Sequence, residues 1–559
     1  MTPSDGIAPI LAGTRVDDVV AEVLRREGVE VLFCYPLNSI IEAAARAGIR
    51  PIVVRQERVG LHMADALSRV TSGERIGVFA MQNGPGTENA FGGVAQAYGE
   101  SVPIVVLPAG YDTSVAFTPR NFNAYLNFQH VTKAAEHVGQ AANAPAALRR
   151  AFTQVRNGRP GPVLVELPHD VLAQPLPADA AYEPAPVTRS APDPAAVDVA
   201  AGALVAADRP VVYAGQGVHH AKAWPELLAL AELLEAPVTT SLGGKSAFPE
   251  THPLSLGTGG RTYPKPVIDF LWDCDVLFGV GCSFGATPFG VPFPSDKTVI
   301  HATLDPGDLN KDLPVRHALV GDAKLTLAML SDAVRDRLGG TPRGRGETVG
   351  AEIARGREAW LQDWRGKLDD DSSPLSPYRV LRDLQATVDV ANTIITHDAG
   401  SPRDQLSPFW QCTTPLSYLG WGKTTQLGYG LGLALGAKIA APEKLCINVW
   451  GDSAIGFTGM DFETAVRERI PILSIMLNNF SMAMELPVMP VSTERFRSTD
   501  ISGDYAMLAS ALGGYGERVT EPGEIVPAIR RGIAQTQAGT PALLEFITQK
   551  ELGLSLYPR

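Results

Sequence analysis

Two apolar runs, Leu445 to Trp450 and Pro471 to Leu477, each end abruptly on polar turn residues: Gly451-Asp452-Ser453 after the first, Asn478-Asn479 after the second. Short apolar runs bounded in this way read as buried parallel strands, and the apolar positions of the intervening Thr458 to Arg469 fit an amphipathic crossover helix. In an open α/β sheet, ligands collect outside the carboxyl ends of the strands, so Asp452 and Asn479 are expected in one crevice. A carboxylate beside an amide oxygen suits a hard cation, above all Mg²⁺, which keeps positions for phosphate and water. The expected ligand is a metal-bound diphosphate.

These residues resemble the cofactor motif of thiamine diphosphate enzymes, commonly Gly-Asp-Gly followed about two dozen residues later by Asn-Asn. The resemblance implies that Asp452, Asn479 and the Ser481 carbonyl hold Mg²⁺ on the diphosphate. Ser453 stands where the family usually has Gly, which would cost about 1 kcal/mol if that position needed left-handed backbone. Its backbone N–H still serves a phosphate. Taken alone, the motif is also compatible with two strand ends capped by turn-forming Asp and Asn.

A second resemblance lies near the other end of the chain. Arg55-Gln56-Glu57-Arg58 ends the run Ile52 to Val54 and opens a helix through Thr71; Ile76 to Ala80, Asn83-Gly84-Pro85-Gly86-Thr87-Glu88-Asn89, a helix to Tyr98 and Pro103 to Leu107 follow. Val31 to Gly110 is similar to the pyrimidine-binding domain of the acetolactate synthase branch, which includes 2-hydroxyacyl-CoA lyases and oxalyl-CoA decarboxylases. Glu57 matches the cofactor-activating Glu of that domain. Read by itself, it is an acidic residue in a helix's first turn, favoured by the macrodipole. In the family, a carboxyl bonded to the aminopyrimidine ring nitrogen favours the imino tautomer, which can take the proton from thiazolium C2; such positioned proton transfer is worth about 10²- to 10⁴-fold. The resemblance further implies cofactor contacts at Gly84, Pro85, Asn89, Gly400, Ser401, Gln426, Leu427, Gly451, Ser453, Ala454 and Met484. It implies a homodimer, often paired into a homotetramer, because the pyrimidine domain of one chain faces the diphosphate domain of another.

At 559 residues the chain is too long for one core. Gln174 to Val197, rich in Pro and Ala, and Leu338 to Gly350, rich in Gly, Arg and Thr, read as linkers. They separate expected domains at 1–180 (pyrimidine-binding), 190–345 (middle) and 360–559 (diphosphate-binding). In the middle region, Pro210 to Ala214, Val276 to Gly281 and Thr298 to Leu304 are strand candidates and Trp224 to Leu234 a helix. The fold class is therefore α/β, with three doubly wound parallel sheets.

A net charge of −12 and 19% charged residues leave no basic tract for nucleic acid. No apolar run is long enough to span a membrane, and Met1 to Gly13 lacks the basic and apolar segments of a leader, so a cytoplasmic location is expected. The five cysteines form no Cys-x-x-Cys pair and read as buried free thiols. Gly244-Lys245-Ser246 and Gly422-Lys423-Thr424 look like the end of a Walker loop, yet Thr239 and Ser417 occupy the position of its first Gly. Gly428, Gly430, Gly432 and Gly436 follow no strand and instead suit a closely packed helix.

The reaction within the family is read from departures. Leu427 takes the place of the bulky residue that bends the cofactor, while Thr425 and Gln426 differ from the small residues common in acetolactate synthases. Glu485 falls where simple 2-oxo acid decarboxylases place a Glu; in a lined cavity its pKa would rise and it would serve as a proton relay. Pro36-Leu37-Asn38 replaces Pro-Gly-Gly, and Gly281-Cys282-Ser283-Phe284 lacks the Arg of flavin-binding members, so FAD is not expected. These departures favour 2-hydroxyacyl-CoA cleavage, with a 2-oxo acid decarboxylase or acetolactate synthase-like carboligase as the alternative; a non-catalytic scaffolding subunit is disfavoured by Glu57, Asp452 and Asn479. Lys423, Arg403 and Arg261 are candidates for a CoA site. Lys550 to Arg559 is either a lid or a frayed tail.

Overall fold

Among the described residues, the strands form three six-stranded sheets in which every adjoining pair is parallel. A computed structural model describes residues 8–557; the start of the Met1 to Gly13 segment and the last two residues of the tail lie outside them. The chain divides into two units, Met1–Thr188 with Leu435–Ala441, and Arg189–Ala434 with Pro442–Arg559.

The first unit carries one sheet, in the order Arg50–Val53, Val31–Cys34, Gly77–Met81, Ile104–Gly110, Val163–Pro168, Ala134–His137. Its inner strands are buried along their whole length, as continuous apolar runs covered on both faces must be. The expected helices are present as Glu57–Val70 and Pro85–Gly99.

The second unit holds two sheets. One runs His317–Val320, Thr298–Thr303, Val276–Val280, Pro210–Ala214, Val238–Ser241, Ser255–Gly259. The other runs Tyr418–Leu419, Thr393–His397, Leu445–Gly451, Leu473–Asn478, Ala542–Ile547, Tyr515–Val519. In this last sheet the chain starts at Thr393–His397 and winds away in both directions, which makes the gap between that strand and Leu445–Gly451 the topological switch point. The crossover differs from the single helix expected at Thr458 to Arg469. A helix begins at once at Asp452–Thr458, passes through a 3-10 turn at Gly459–Asp461, and resumes as Phe462–Arg467.

Lys245, the lysine of the first Walker-like tripeptide, is part of a buried seam between the two sheets of this unit. Its Nζ lies 2.6 and 2.8 Å from the Glu250 oxygens, with side chains only 1% and 6% exposed. Glu250 Oε2 also accepts the Cys412 N–H at 2.8 Å, and Thr258 bridges both partners. A lysine so enclosed holds the fold rather than a phosphate. Replacing Glu250 by Gln strands the ammonium without its countercharge and should cost about 3–5 kcal/mol. The expected readout is a lower urea midpoint at unchanged slope; an unmoved midpoint would show that the pair holds nothing together.

The end of the chain is a fixed strap, neither a frayed tail nor a free lid within the described residues. Ser555 is fully buried; its Oγ accepts the Trp360 indole N–H at 2.9 Å and donates to the Tyr263 carbonyl at 2.7 Å. Tyr378 donates to the Gly553 carbonyl at 2.6 Å, and Lys367 pairs with Glu551 at 2.8 Å. The helix that receives the strap, Gly346–Leu368, starts inside the segment expected to be linker. The five cysteines are free, and all but Cys282 are buried. No helix among the described residues is long and apolar enough to cross a membrane.

Candidate active site

In the second unit, register brings the motif residues level. Gly451 pairs with Leu477 across parallel strands, so Asp452 and the Asn478-Asn479 pair leave the sheet side by side. Asp452 Oδ2 and Asn479 Oδ1 both accept the Ser481 N–H, at 3.1 and 3.0 Å. A carboxylate and an amide oxygen thus converge on one backbone nitrogen. Burial pushes Asp452 up to about 6, offset in part by the backbone N–H groups of Ser481, Ser453, Asn479 and Phe480. Among the described residues, this buried carboxylate is held by backbone N–H groups, a donor set that a cation would complete. Three or more His, Cys, Asp or Glu side chains do not gather in a metal-binding group among the described residues. A cation at Asp452 would therefore draw its other ligands from amide and carbonyl oxygens, water and phosphate, as Mg²⁺ does.

The two adjacent asparagines have separate tasks. Asn478 faces inward, its Nδ2 donating to Glu545 Oε1 at 2.7 Å and its Oδ1 accepting the Phe480 N–H at 2.9 Å, while Arg518 holds Glu545 from the far side. That leaves Asn479 for the crevice. Ser453 lies inside the helix Asp452–Thr458 and has no positive φ, so the cost foreseen for a non-glycine residue does not arise. With Ala454 it supplies first-turn N–H groups that have no partner within a helix.

The other strand at the switch point ends on Thr393–His397 and leads to Gly400, whose φ of +80° caps the helix Ser401–Leu406. A Cβ placed on Gly400 would stand 3.9 Å from Met484 Sδ, so Gly400, with Ser401 next to it, lies beside Met484. Gln426 and Leu427 are half-buried. Glu485 is different: it sits in the 3-10 turn Ala483–Glu485 and is exposed, rather than enclosed in the lined cavity expected around it.

In the first unit Glu57 opens the helix Glu57–Val70 and is 3% exposed. Burial raises its pKa, against opposing hydrogen bonds from its own backbone and from the Asn89 side chain. Gly84 and Pro85 form the start of the helix Pro85–Gly99, and Gly84 adopts a φ of +58°. A Cβ on Gly86 would stand 3.4 Å from Glu57 Oε1, so Glu57 faces the first turns of the helix that Gly84 and Pro85 begin and that carries Asn89.

Three residues absent from the sequence reading support the second cluster. Asp398 accepts three backbone N–H groups, Glu545 holds Asn478, and the Tyr505 hydroxyl donates to the Asp452 carbonyl at 3.3 Å. The available signal for Glu545 is a lone acidic residue inside the apolar strand Ala542–Ile547, and for Asp398 an acidic residue directly after an apolar strand.

The chain matches three family descriptions in order: the N-terminal thiamine pyrophosphate-binding domain over residues 14–125, the central domain of thiamine pyrophosphate enzymes over 197–330, and the C-terminal thiamine pyrophosphate-binding domain over 398–546. Among curated proteins, it is 30% identical to the probable acetolactate synthase large subunit of Methanocaldococcus jannaschii, covering 97% of this chain and 93% of that one. It is 30% identical to the acetolactate synthase isozyme 3 large subunit of Escherichia coli K12, covering 93% and 92%. It is 28% identical to the sulfoacetaldehyde acetyltransferase of Castellaniella defragrans, covering 96% and 93%. With the fold, the two residue clusters and these matches in agreement, the chain belongs to the thiamine diphosphate-dependent enzymes of the acetolactate synthase branch.

Proposed function

We propose that the protein uses thiamine diphosphate and Mg²⁺ to form or cleave a carbon–carbon bond beside a carbonyl, and that it works as an acetolactate synthase-like carboligase with a 2-oxo acid donor. The observation that carries this reading is the convergence of Asp452 Oδ2 and Asn479 Oδ1 on the Ser481 N–H at the switch point. Thiamine diphosphate, when bound, supplies a carbon nucleophile and an electron sink. Asp452, Asn479 and the Ser481 carbonyl would hold Mg²⁺, and the Ser453 and Ala454 N–H groups would bind the diphosphate with Gly400, Ser401 and Gly451. Met484, Gln426 and Leu427 would orient the coenzyme rings. The Glu57 carboxyl would hold a proton at the ring nitrogen of the aminopyrimidine, with Gly84, Pro85 and Asn89 around it. Residues 1–180, 190–345 and 360–559 would serve as pyrimidine-binding, middle and diphosphate-binding domains.

The active unit in this reading is a homodimer or a pair of dimers, each site shared by two chains. The exposed apolar side chains Phe457 and Met460, directly after the metal cluster, favour cover by a second copy. That copy would also wall in Glu485, whose role is to move a proton to or from the substrate.

The observations that pointed to a 2-hydroxyacyl-CoA lyase lose force once side chains are placed. Asn38, in the segment replacing Pro-Gly-Gly, is buried and donates to the Met81 and Leu107 carbonyls, both at 3.0 Å, so its fold role accounts for it. Arg403 is buried against Asp404 at 2.7 Å and under the Phe289 ring, and Arg261 lies 3.4 Å from the same Asp404. Neither presents an unpaired cation to a CoA phosphate. The named relatives, two acetolactate synthase subunits and an acetyltransferase, also favour the carboligase.

The test supplies the Mg²⁺- and coenzyme-loaded protein with single 2-oxo acids, pairs of 2-oxo acids and 2-hydroxyacyl-CoA thioesters, and identifies the products by mass. A ligated hydroxy-oxo acid with release of CO₂ is expected. Conversion of the thioester alone, to an aldehyde and formyl-CoA, would overturn the carboligase in favour of the lyase. Glu485→Ala should keep coenzyme affinity and slow turnover by about 10²-fold or more; unchanged kinetics would remove its assignment.

A further inference from the structure

Two consecutive residues at the switch point, His397 and Asp398, hold the two ends of one segment. At the near end, Trp421 stacks on the His397 ring with centroids 4.8 Å apart, and its indole N–H donates to the His397 carbonyl at 3.1 Å. At the far end, Asp398 Oδ1 accepts the Gly428 N–H at 2.9 Å and the Ala399 N–H at 2.8 Å, while Oδ2 accepts the Gly430 N–H at 3.0 Å. Gly430 lies in the first turn of the helix Tyr429–Ala440, where backbone N–H groups have no partner within the helix. The Asp398 carboxylate therefore caps that helix from a different strand, with its charge at the positive end of the helix dipole.

The backbone is shaped for this hold. Gly428 adopts a φ of +87°, and a Cβ there would meet Thr458 Cγ2 at 2.7 Å; a Cβ on Gly430 would meet the His397 carbonyl at 2.8 Å. Thr458 adds a further tie, its hydroxyl donating to the Gly428 carbonyl at 2.9 Å. Between the pinned ends, Lys423 and Thr424 are exposed and Thr425, Gln426 and Leu427 half-buried. A third tether joins Lys423 Nζ to the Gly285 carbonyl at 3.1 Å.

We propose that Asp398 is the positioning residue for the Thr425-Gln426-Leu427 wall and, through Gly428 and Gly430, sets how this enzyme discriminates among its carbonyl substrates. The inference rests on the functional reading above for the wall's contact with coenzyme and substrate. The pinning itself does not depend on that reading. In Asp398→Asn the amide oxygen can keep the two Oδ1 bonds, but an NH₂ group then faces the Gly430 N–H, donor against donor. Loss of a charge-assisted bond of this kind corresponds to about a 10- to 100-fold effect.

The test is native-state hydrogen exchange of the full chain, joined to kinetics on two 2-oxo acids of different size. In the wild type, the Gly428 and Gly430 amides should be protected from exchange. In Asp398→Asn, exchange at Gly430 should accelerate about 10- to 100-fold with the global unfolding midpoint retained. The ratio of kcat/KM for the two acids should change about tenfold, mostly through KM. Wild-type exchange and an unchanged ratio in the variant would overturn the proposal. If the variant does not fold, an unprotected Gly430 amide in the wild type overturns it equally. Failure of the wild type to take up thiamine diphosphate would instead strike the functional reading and leave the exchange result standing.

Discussion

Glu57→Gln should bind thiamine diphosphate with nearly native affinity and lose about 10²- to 10⁴-fold of its turnover. The substitution keeps size, shape and one hydrogen bond, so the helix Glu57–Val70 and its packing are untouched. It removes the one property the site needs, a carboxyl that holds a proton and releases it. Burial raises the Glu57 pKa, and the Asn89 and backbone bonds oppose that rise only in part. The sign follows: a carboxyl raised above its ordinary value stays protonated to higher pH, as a donor to a ring nitrogen requires. Steady-state kinetics paired with coenzyme titration checks the prediction. Near-native turnover in a folded, coenzyme-loaded variant would remove Glu57 from the mechanism.

The second large effect falls on the metal. Asp452→Asn should weaken Mg²⁺-dependent coenzyme binding by about 100-fold or more, since even outer-shell partners of metal ligands are worth about 10- to 100-fold. The amide fits the same space and can still accept the Ser481 N–H, so the strand ends should keep their geometry. It also replaces a carboxylate whose ionised form burial disfavours. The variant without ligands should therefore melt at or above the wild-type temperature. Quenching of tryptophan fluorescence on titration with thiamine diphosphate, with and without Mg²⁺, reads the binding, and thermal unfolding reads the stability. Undiminished Mg²⁺-dependent binding would show that the cation lies elsewhere.

The parts legible in the sequence were those written in local patterns. The strands Pro210–Ala214 and Val276–Val280, and the helix Trp224–Leu234, follow from apolar period and length, because parallel strands buried on both faces must be apolar throughout. Asp452 and Asn479 were legible because turn residues directly after such strands fall at the ligand edge of the sheet. The crossover differs from the single expected helix because a helix that starts directly after the last strand residue leaves no loop signal to mark its beginning. Asp398 escaped notice because its partners, Gly428 and Gly430, contribute only backbone N–H groups, which carry no side-chain signature. Asn38 shows the opposite error: its departure from the family pattern suggested a new substrate, while its side chain in fact ties two strand ends through their carbonyls. Arg403 likewise reads as a candidate CoA-binding cation until its buried partner Asp404 is in view.

The claim on which the account turns is that Asp452 and Asn479 hold a metal-bound coenzyme that Glu57 activates. The most direct measurement is the rate at which the C2 proton of thiamine diphosphate exchanges with deuterated solvent in the presence of the protein and Mg²⁺. The account predicts rapid exchange with the wild type, slow exchange with Glu57→Gln, and with Asp452→Asn no acceleration at coenzyme concentrations that saturate the wild type. Exchange no faster with the wild type than in free solution, or equally fast with all three proteins, would contradict it.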